Sequence, residues 1–156
     1  MKTIEIEIAL MQHFGIRQNI IVPNVSWSFI NYEADLVVLT KSNYATEIEI
    51  KVSKADLKKD REKKHTHDSE FFKYLYFAVP EELKDFALAN IPEKAGLYTI
   101  NYEPDSLRKY WVTQVKSPQL NKSHIKWKNS QRNYLAELGC MRILGLKTKI
   151  VKGLKI

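Results

Sequence analysis

The stretch that most constrains the fold is residues 33–65, EADLVVLTKSNYATEIEIKVSKADLKKDREKKH. From Tyr44 to Val52 polar and apolar residues alternate, so that Glu47, Glu49 and Lys51 point one way and Ile48, Ile50 and Val52 the other. A period of two residues specifies a strand. Glu33 and Asp35 open an earlier strand that runs into Leu36, Val37, Val38 and Leu39. Ser53 has the chemistry of a helix N-cap, with Asp56 at the third helical position. The segment therefore reads as strand, tight turn, strand, basic helix. Parity then makes a demand. A two-residue loop at Ser42-Asn43 pairs Asp35 with Ile50 and turns Asp35 away from Glu49. A three-residue loop, Lys41 to Asn43, pairs Asp35 with Glu49, since directly opposite residues share a face. Asn43 tolerates the left-handed backbone such a loop needs, so the odd loop, or a bulge of equal effect, is predicted.

Two carboxylates and a lysine then meet on one sheet face. Glu49 and Lys51 lie about 7 Å apart at the usual strand rise. Asp35 and Glu49 form a hard-oxygen pair suited to Mg²⁺ or Mn²⁺. Lys51 can hold or deprotonate a water beside such a cation, or neutralise charge in a phosphoryl transition state. A solvated strand face with cross-strand ion pairs is the competing explanation. Asp35…Glu49-Ile50-Lys51 resembles the D…(D/E)-x-K signature of the PD-(D/E)XK nuclease superfamily, and Val52-Ser53 leading into a lysine-rich helix is similar to small phage-type or repair-associated members. The resemblance covers about residues 3–102. It implies an α/β, restriction-endonuclease-like core, a mixed central sheet flanked by helices. It further implies that Asp35 and Glu49 bind Mg²⁺ or Mn²⁺, that the Ile50 carbonyl is a further ligand, and that Lys51 assists the attacking water. Ala34 stands where the signature has proline, a position that varies in the superfamily. Asp68…Glu82-Leu83-Lys84 and Asp35…Asp56-Leu57-Lys58 also fit the pattern, but their second halves fall on predicted helices.

Residues 3–14 alternate at first, but Ala9, Leu10, Met11 and Phe14 continue them as a helix, which Gly15 stops. The apolar arc is expected to centre near Glu7, with Glu5 pointing away; the resemblance brings a helical glutamate such as Glu7 to the metal site, and an edge glutamate is the alternative. Pro23-Asn24 is expected to delay the next strand to Val25–Ile30. Trp27 there suits a core aromatic better than a base-stacking one. Lys54, Lys58, Arg61 and His65 share one face of the basic helix, with Lys64 nearby, placed to contact flanking phosphates or simply to be solvated. A strand over 73–79, a helix over 81–90 and a strand over 97–102 predict a right-handed parallel crossover. Residues 110–116 form an edge strand. A helix within 123–144 is expected to end near Gly139 or Gly145, and residues 147–156 to be a flexible tail or short strand.

Charge separates two parts of the chain. Net charge is +7, yet residues 1–115 hold 15 basic and 17 acidic residues, while 116–156 hold ten basic residues and only Glu137 as an acid. We therefore read 1–115 as the α/β core and 116–156 as a basic helical extension of the same domain. Lys126, Lys128 and Arg132 alternate there with Trp127 and Tyr134, a backbone-and-stacking surface for DNA. The single cysteine, Cys140, excludes an internal disulfide and suits a reducing cytoplasm. Glu5 and Glu7 interrupt the first apolar run, against a signal peptide, and no stretch reaches the roughly 20 apolar residues of a membrane span. With this charge distribution, the resemblance implies a metal-dependent endonuclease acting on DNA in a structure-specific or nonspecific manner, in repair, recombination or phage DNA metabolism. A DNA-binding module without turnover and a protein-interaction domain are the alternatives, and a homodimer stays open.

Overall fold

A computed structural model of the chain describes residues 1–27, 30–61 and 68–154. Lys64 and His65 lie outside these residues, and the side chains of Trp27 and Arg61 are likewise not described. The elements in order are α1 (Thr3–Phe14), β1 (Ile20–Trp27), β2 (Ile30–Leu39), β3 (Ala45–Ile50), α2 (Lys54–Arg61), β4 (Phe72–Pro80), a 3-10 turn (Glu81–Leu83), α3 (Lys84–Asn90), β5 (Gly96–Tyr102), β6 (Tyr110–Lys116) and α4 (Asn129–Val151). The described strands form one mixed sheet in chain order, β1 to β6. β4 and β5 run parallel, as the crossover pattern predicts; β3 and β4 are parallel as well, and the remaining neighbours are antiparallel.

Helices cover both faces of this α/β sheet. On one face, Ile6, Ala9 and Leu10 of α1 pack on Leu36, Val38, Ile48, Ile50, Tyr76 and Ala78. The other face carries Glu49, in register with Phe77. It holds two separate apolar clusters. Val22, Val37 and Leu39 pack there against Trp127 and Leu135 of the C-terminal segment. Leu75, Phe77, Val79 and Leu97 pack against Leu57 of α2 and Ala87 of α3. The C-terminal extension thus shares the core of the strands that precede it.

The α1 arc centres on Ile6 and Leu10 rather than on Glu7. At 100° per residue, Glu5 and Glu7 then flank the arc on opposite sides. Glu5 does not point away, as expected, but accepts a 2.9 Å hydrogen bond from the Tyr110 hydroxyl of β6. Gly15, at φ 73°, ends the helix and donates its N–H to the Met11 carbonyl at 3.1 Å.

β1 starts earlier than expected and runs through Pro23, which pairs with Leu36. The strand lies at the sheet edge, where a missing N–H costs no ladder bond. Neither Gly139 nor Gly145 stops α4, and residues 147–151 are helical. Gly139 is small for another reason: a Cβ there would meet the Val22 side chain at 3.3 Å. The left-handed glycine that follows the helix is Gly153, at φ 63°. Trp127 is not a stacking surface. It is 2 % exposed, and its indole N–H donates to the Phe71 carbonyl at 2.6 Å.

The hairpin obeys the predicted parity. The Thr40 N–H donates to Tyr44 O at 3.0 Å, leaving Lys41, Ser42 and Asn43 as the loop, with Asn43 at φ 64°. Pairs run from Leu39↔Ala45 to Leu36↔Ile48, which puts Asp35 opposite Glu49. The Asn43 side chain also accepts a 2.9 Å bond from Arg132. Asn43→Ala is therefore expected to cost about 1–2 kcal/mol in urea unfolding, through left-handed strain and the lost bond. Asn43→Gly should recover the backbone part of that loss.

Candidate active site

The buried polar and charged residues among those described are Glu47, Glu49, Lys51 and Thr99. Three of the four are alternate residues on one face of β3 and its continuation. On that face β3 lies between the two apolar clusters described above: Ala45 packs into the first of them, and Glu47 and Glu49 follow in the gap between the two.

Asp35 and Glu49 converge on one ammonium. Lys51 Nζ lies 2.6 Å from Glu49 Oε2 and 3.3 Å from Asp35 Oδ2. The Lys51 and Glu49 side chains are 8 % and 0 % exposed, while that of Asp35 is 33 % exposed and forms the open side of the group. Backbone geometry holds the cluster in place. The Thr40–Tyr44 bond sets the ladder phase, so by the alternation of an antiparallel pair the Ile50 N–H would bond to Ala34. Instead it donates to Asp35 Oδ2 at 2.8 Å. The β2–β3 pairing ends at Leu36↔Ile48, whereas β2 stays paired with β1 through Ala34 and Glu33. The two strands fork, and Asp35 fills the fork. A residue's N–H and C=O point to the same side of a strand, so the Ile50 carbonyl also faces the fork. On the far side of β3, the Lys51 N–H donates to the Ala78 carbonyl of β4 at 3.0 Å, which keeps Lys51 in line beyond the strand end.

Burial and a neighbouring charge perturb the acids. Burial, then Asp35, pushes the Glu49 carboxyl up to about 7, with Lys51 opposing both and Glu47 adding to the rise. Glu7, half-buried on α1, is raised first by burial and then by Asp35. The flank of α1 that carries Glu7 therefore faces the fork. Glu47 is fully buried and accepts a 2.8 Å hydrogen bond from the Tyr32 hydroxyl. Burial and Glu47 together place that phenol far above its ordinary range. Sequence reasoning put Glu47 on this face but missed Tyr32, because nothing in a strand pattern points from β2 to a carboxylate 15 positions on.

The other predicted residues divide by location. Lys54 and Lys58 leave α2 as expected and are exposed, but their Nζ atoms lie 5.4 and 6.0 Å from the Phe86 ring of α3. Arg132 donates to Thr40 O and Asn43 Oδ1, both at 2.9 Å, at the closed end of the hairpin. Lys126 and Lys128 flank Trp127, whose backbone N–H donates to the Asn43 carbonyl. These three basic residues are thus at the turn, about 17 Å along the strands from Asp35 and Glu49. The structure does not bring them to the carboxylates.

Among the described residues no group of three or more His, Cys, Asp or Glu side chains forms a metal cage. The donors at the fork nevertheless suit a hard divalent cation. Mg²⁺ is commonly held by one or two carboxylates and completes its shell with water and substrate phosphate. Here two carboxylates already share a single cationic group. Among the described residues no helix is long and apolar enough to cross a membrane.

No family model matches the chain, and no curated protein does. Among solved structures it is similar to the SPO1766 protein of unknown function from Silicibacter pomeroyi. The TM-score is 0.63 at 17 % identity, over 97 % of this chain and 93 % of that one. At that identity the likeness shows a common fold.

The raised Glu49 carboxyl fixes a pH dependence. The folded state keeps this proton up to about 7, whereas an unfolded glutamate releases it near 4.5. Between those values the folded state binds more protons, so its stability falls as pH rises. Urea midpoints measured from pH 4.5 to 8 should show that fall in the wild type, and a smaller one in Glu49→Gln.

Proposed function

We propose that the chain is a Mg²⁺- or Mn²⁺-dependent endonuclease that hydrolyses phosphodiester bonds in DNA. The observation that carries this is the convergence of Asp35 and Glu49 on the buried Lys51 ammonium at the β2–β3 fork. Burying Lys51 and Glu49 beside the half-open Asp35 is a poor way to gain stability, because desolvation takes back most of the Coulomb attraction. Perturbed, desolvated groups of this kind concentrate at sites of chemistry.

In this proposal Asp35 and Glu49 hold the cation, with the Ile50 carbonyl as a further oxygen. A bound divalent cation supplies charge neutralisation at the phosphate and a more acidic water. The chain's own groups do the rest. The bond from the Ile50 N–H orients the Asp35 carboxylate. Lys51 Nζ stands between the two acids and is placed to hold the attacking water or to donate to a phosphate oxygen as negative charge builds there. Glu7, on the flank of α1 that faces Asp35, is a further acid able to order water at the fork. Phosphates beside the cut one are taken by basic side chains of α2, Lys54 and Lys58 among those described. Lys126, Lys128 and Arg132 at the hairpin turn would meet backbone farther along the duplex, where contacts position without reading sequence. Cutting is therefore assigned to DNA of particular structure or of any sequence, as in repair, recombination or phage DNA metabolism.

A cleavage assay on labelled single-stranded, duplex, flapped and four-way-junction DNA tests this. At low salt with Mg²⁺ or Mn²⁺, the wild type should cut, and Lys51→Met and Asp35→Asn should each lose at least about 100-fold, the scale of a lost electrostatic or acid–base contribution. Mn²⁺ should raise the thermal midpoint of the wild type and leave that of Asp35→Asn unmoved. Salt-sensitive DNA binding with no cutting would instead identify a binding module on this fold. No affinity for DNA at any salt would leave a protein-interaction domain.

A further inference from the structure

The loop between β5 and β6 presents an apolar tip. Leu107 is fully exposed there. A single exposed leucine is ordinary on a protein surface, but the setting of this one is not. The stem beneath it is braced. The Glu103 N–H donates to the Lys109 carbonyl at 2.8 Å, and the Ser106 N–H donates to the Glu103 carbonyl at 3.2 Å. Below that closure the Tyr102 and Tyr110 ring centroids lie 5.2 Å apart, and the Tyr110 hydroxyl is tied to Glu5 of α1. Leu107 thus stands on a short, tied hairpin, so little freedom is lost when the tip is gripped.

The hairpin stands at the fork's end of the sheet. β3, β4 and β5 are parallel, so Lys51, Pro80 and Tyr102 lie at one end of it. Ile50 pairs with Ala78 and Ala78 with Tyr98, which places Tyr102 roughly 10 Å beyond the level of Lys51. With the strand spacing added, Leu107 is on the order of 20 Å from Lys51, about six base pairs of duplex. Register also puts Trp111 opposite Asn101, on the face that carries Glu49, and its ring is half-exposed.

Chemistry indicates what the tip meets. The loop's acids, Glu103 and Asp105, are on the limb that leaves β5. Its bases, Arg108 and Lys109, directly follow Leu107 on the limb that enters β6. One leucine is too little apolar area to hold a membrane or a protein interface, which needs several hundred Å². Between two base pairs one such side chain suffices, with cations on the neighbouring phosphates and a ring to receive an unstacked base. We propose that the 103–109 hairpin is a wedge: Leu107 enters the base stack of DNA bound at the fork, and Arg108 and Lys109 hold the phosphates beside it. The wedge rests on the DNA-cutting function proposed above and narrows its substrate to DNA that opens readily, such as forks, flaps and mismatched duplex, where unstacking is least costly.

A fluorescent adenine analogue, quenched while stacked, tests this on the duplex side of a forked DNA junction. EDTA is present so that nothing is cut, and binding is followed separately by the anisotropy of an end label. At saturating protein the analogue should brighten with the wild type. Leu107→Ser, a change at a fully exposed position, should bind within about tenfold of the wild type, since phosphate contacts supply most of the affinity, yet leave the analogue dark. Leu107→Met should restore the brightening. A bound wild type that leaves the analogue dark, or brightening that survives Leu107→Ser, would overturn the wedge without touching the nuclease reading. That reading fails instead if the analogue brightens but Mg²⁺ brings no cutting of the same fork. No binding to the fork at any salt would overturn both.

Discussion

A lysine ammonium shared by two carboxylates where two interior strands fork is the interaction on which the rest of this structure turns. None of the three groups is comfortable alone. An unpaired Lys51 at 8 % side-chain exposure, or an unpaired Glu49 at 0 %, would face a desolvation penalty of several kcal/mol. Together they offset one another, and the fold is arranged to permit this. The strand pairing is given up at one point so that Asp35 can enter, and the freed Ile50 N–H is satisfied by the same carboxylate. One side chain thus repairs the ladder and completes the ion cluster. That economy explains why the fork sits at Asp35 and nowhere else along β2.

The position of the cluster follows from how the helices divide the sheet. α1 takes one face with a continuous apolar arc. On the other face, α4 and Trp127 cover β1 and β2, and α2 with α3 covers β4 and β5. β3 is the strand between these two layers: its Ala45 still packs with Trp127, while Glu47 and Glu49 fall where neither layer reaches. α1 contributes from the opposite side only because its arc is narrow enough to leave a glutamate on each flank. Glu5 is used by Tyr110, and Glu7 is left beside Asp35.

What was legible in the sequence was what local periodicity controls. The alternation from Glu47 to Lys51, the Asn43 loop and its odd length, the Ser53 cap and the parallel crossover depend on near neighbours, and each stands as expected. The fork was not legible, since a side chain replacing a ladder partner leaves no mark on a two-residue period. Direction was lost as well. Lys126, Lys128 and Arg132 look like substrate contacts in a basic segment, but only the tertiary bonds of Arg132 to Thr40 and Asn43 reveal which end of the hairpin they occupy. Gly139 and Gly145 read as stops in the sequence because a glycine's role depends on its φ and on what approaches it, and neither is written in its neighbours.

These errors share a cause that bears on the C-terminal half of the molecule. Read as charge, residues 116–156 are one basic segment with one job. Read as packing, they are three: a strap with Trp127 in the core, a first half of α4 that covers β1, and a second half whose residues from Cys140 to Val151 are exposed. Positive charge is spread over all three, so charge alone could not divide them. The apolar residues do, because burial is selective where charge is not. Trp127 and Leu135 are consumed by the fold, whereas Ile143, Leu144 and Ile150 are equally apolar and left outside it.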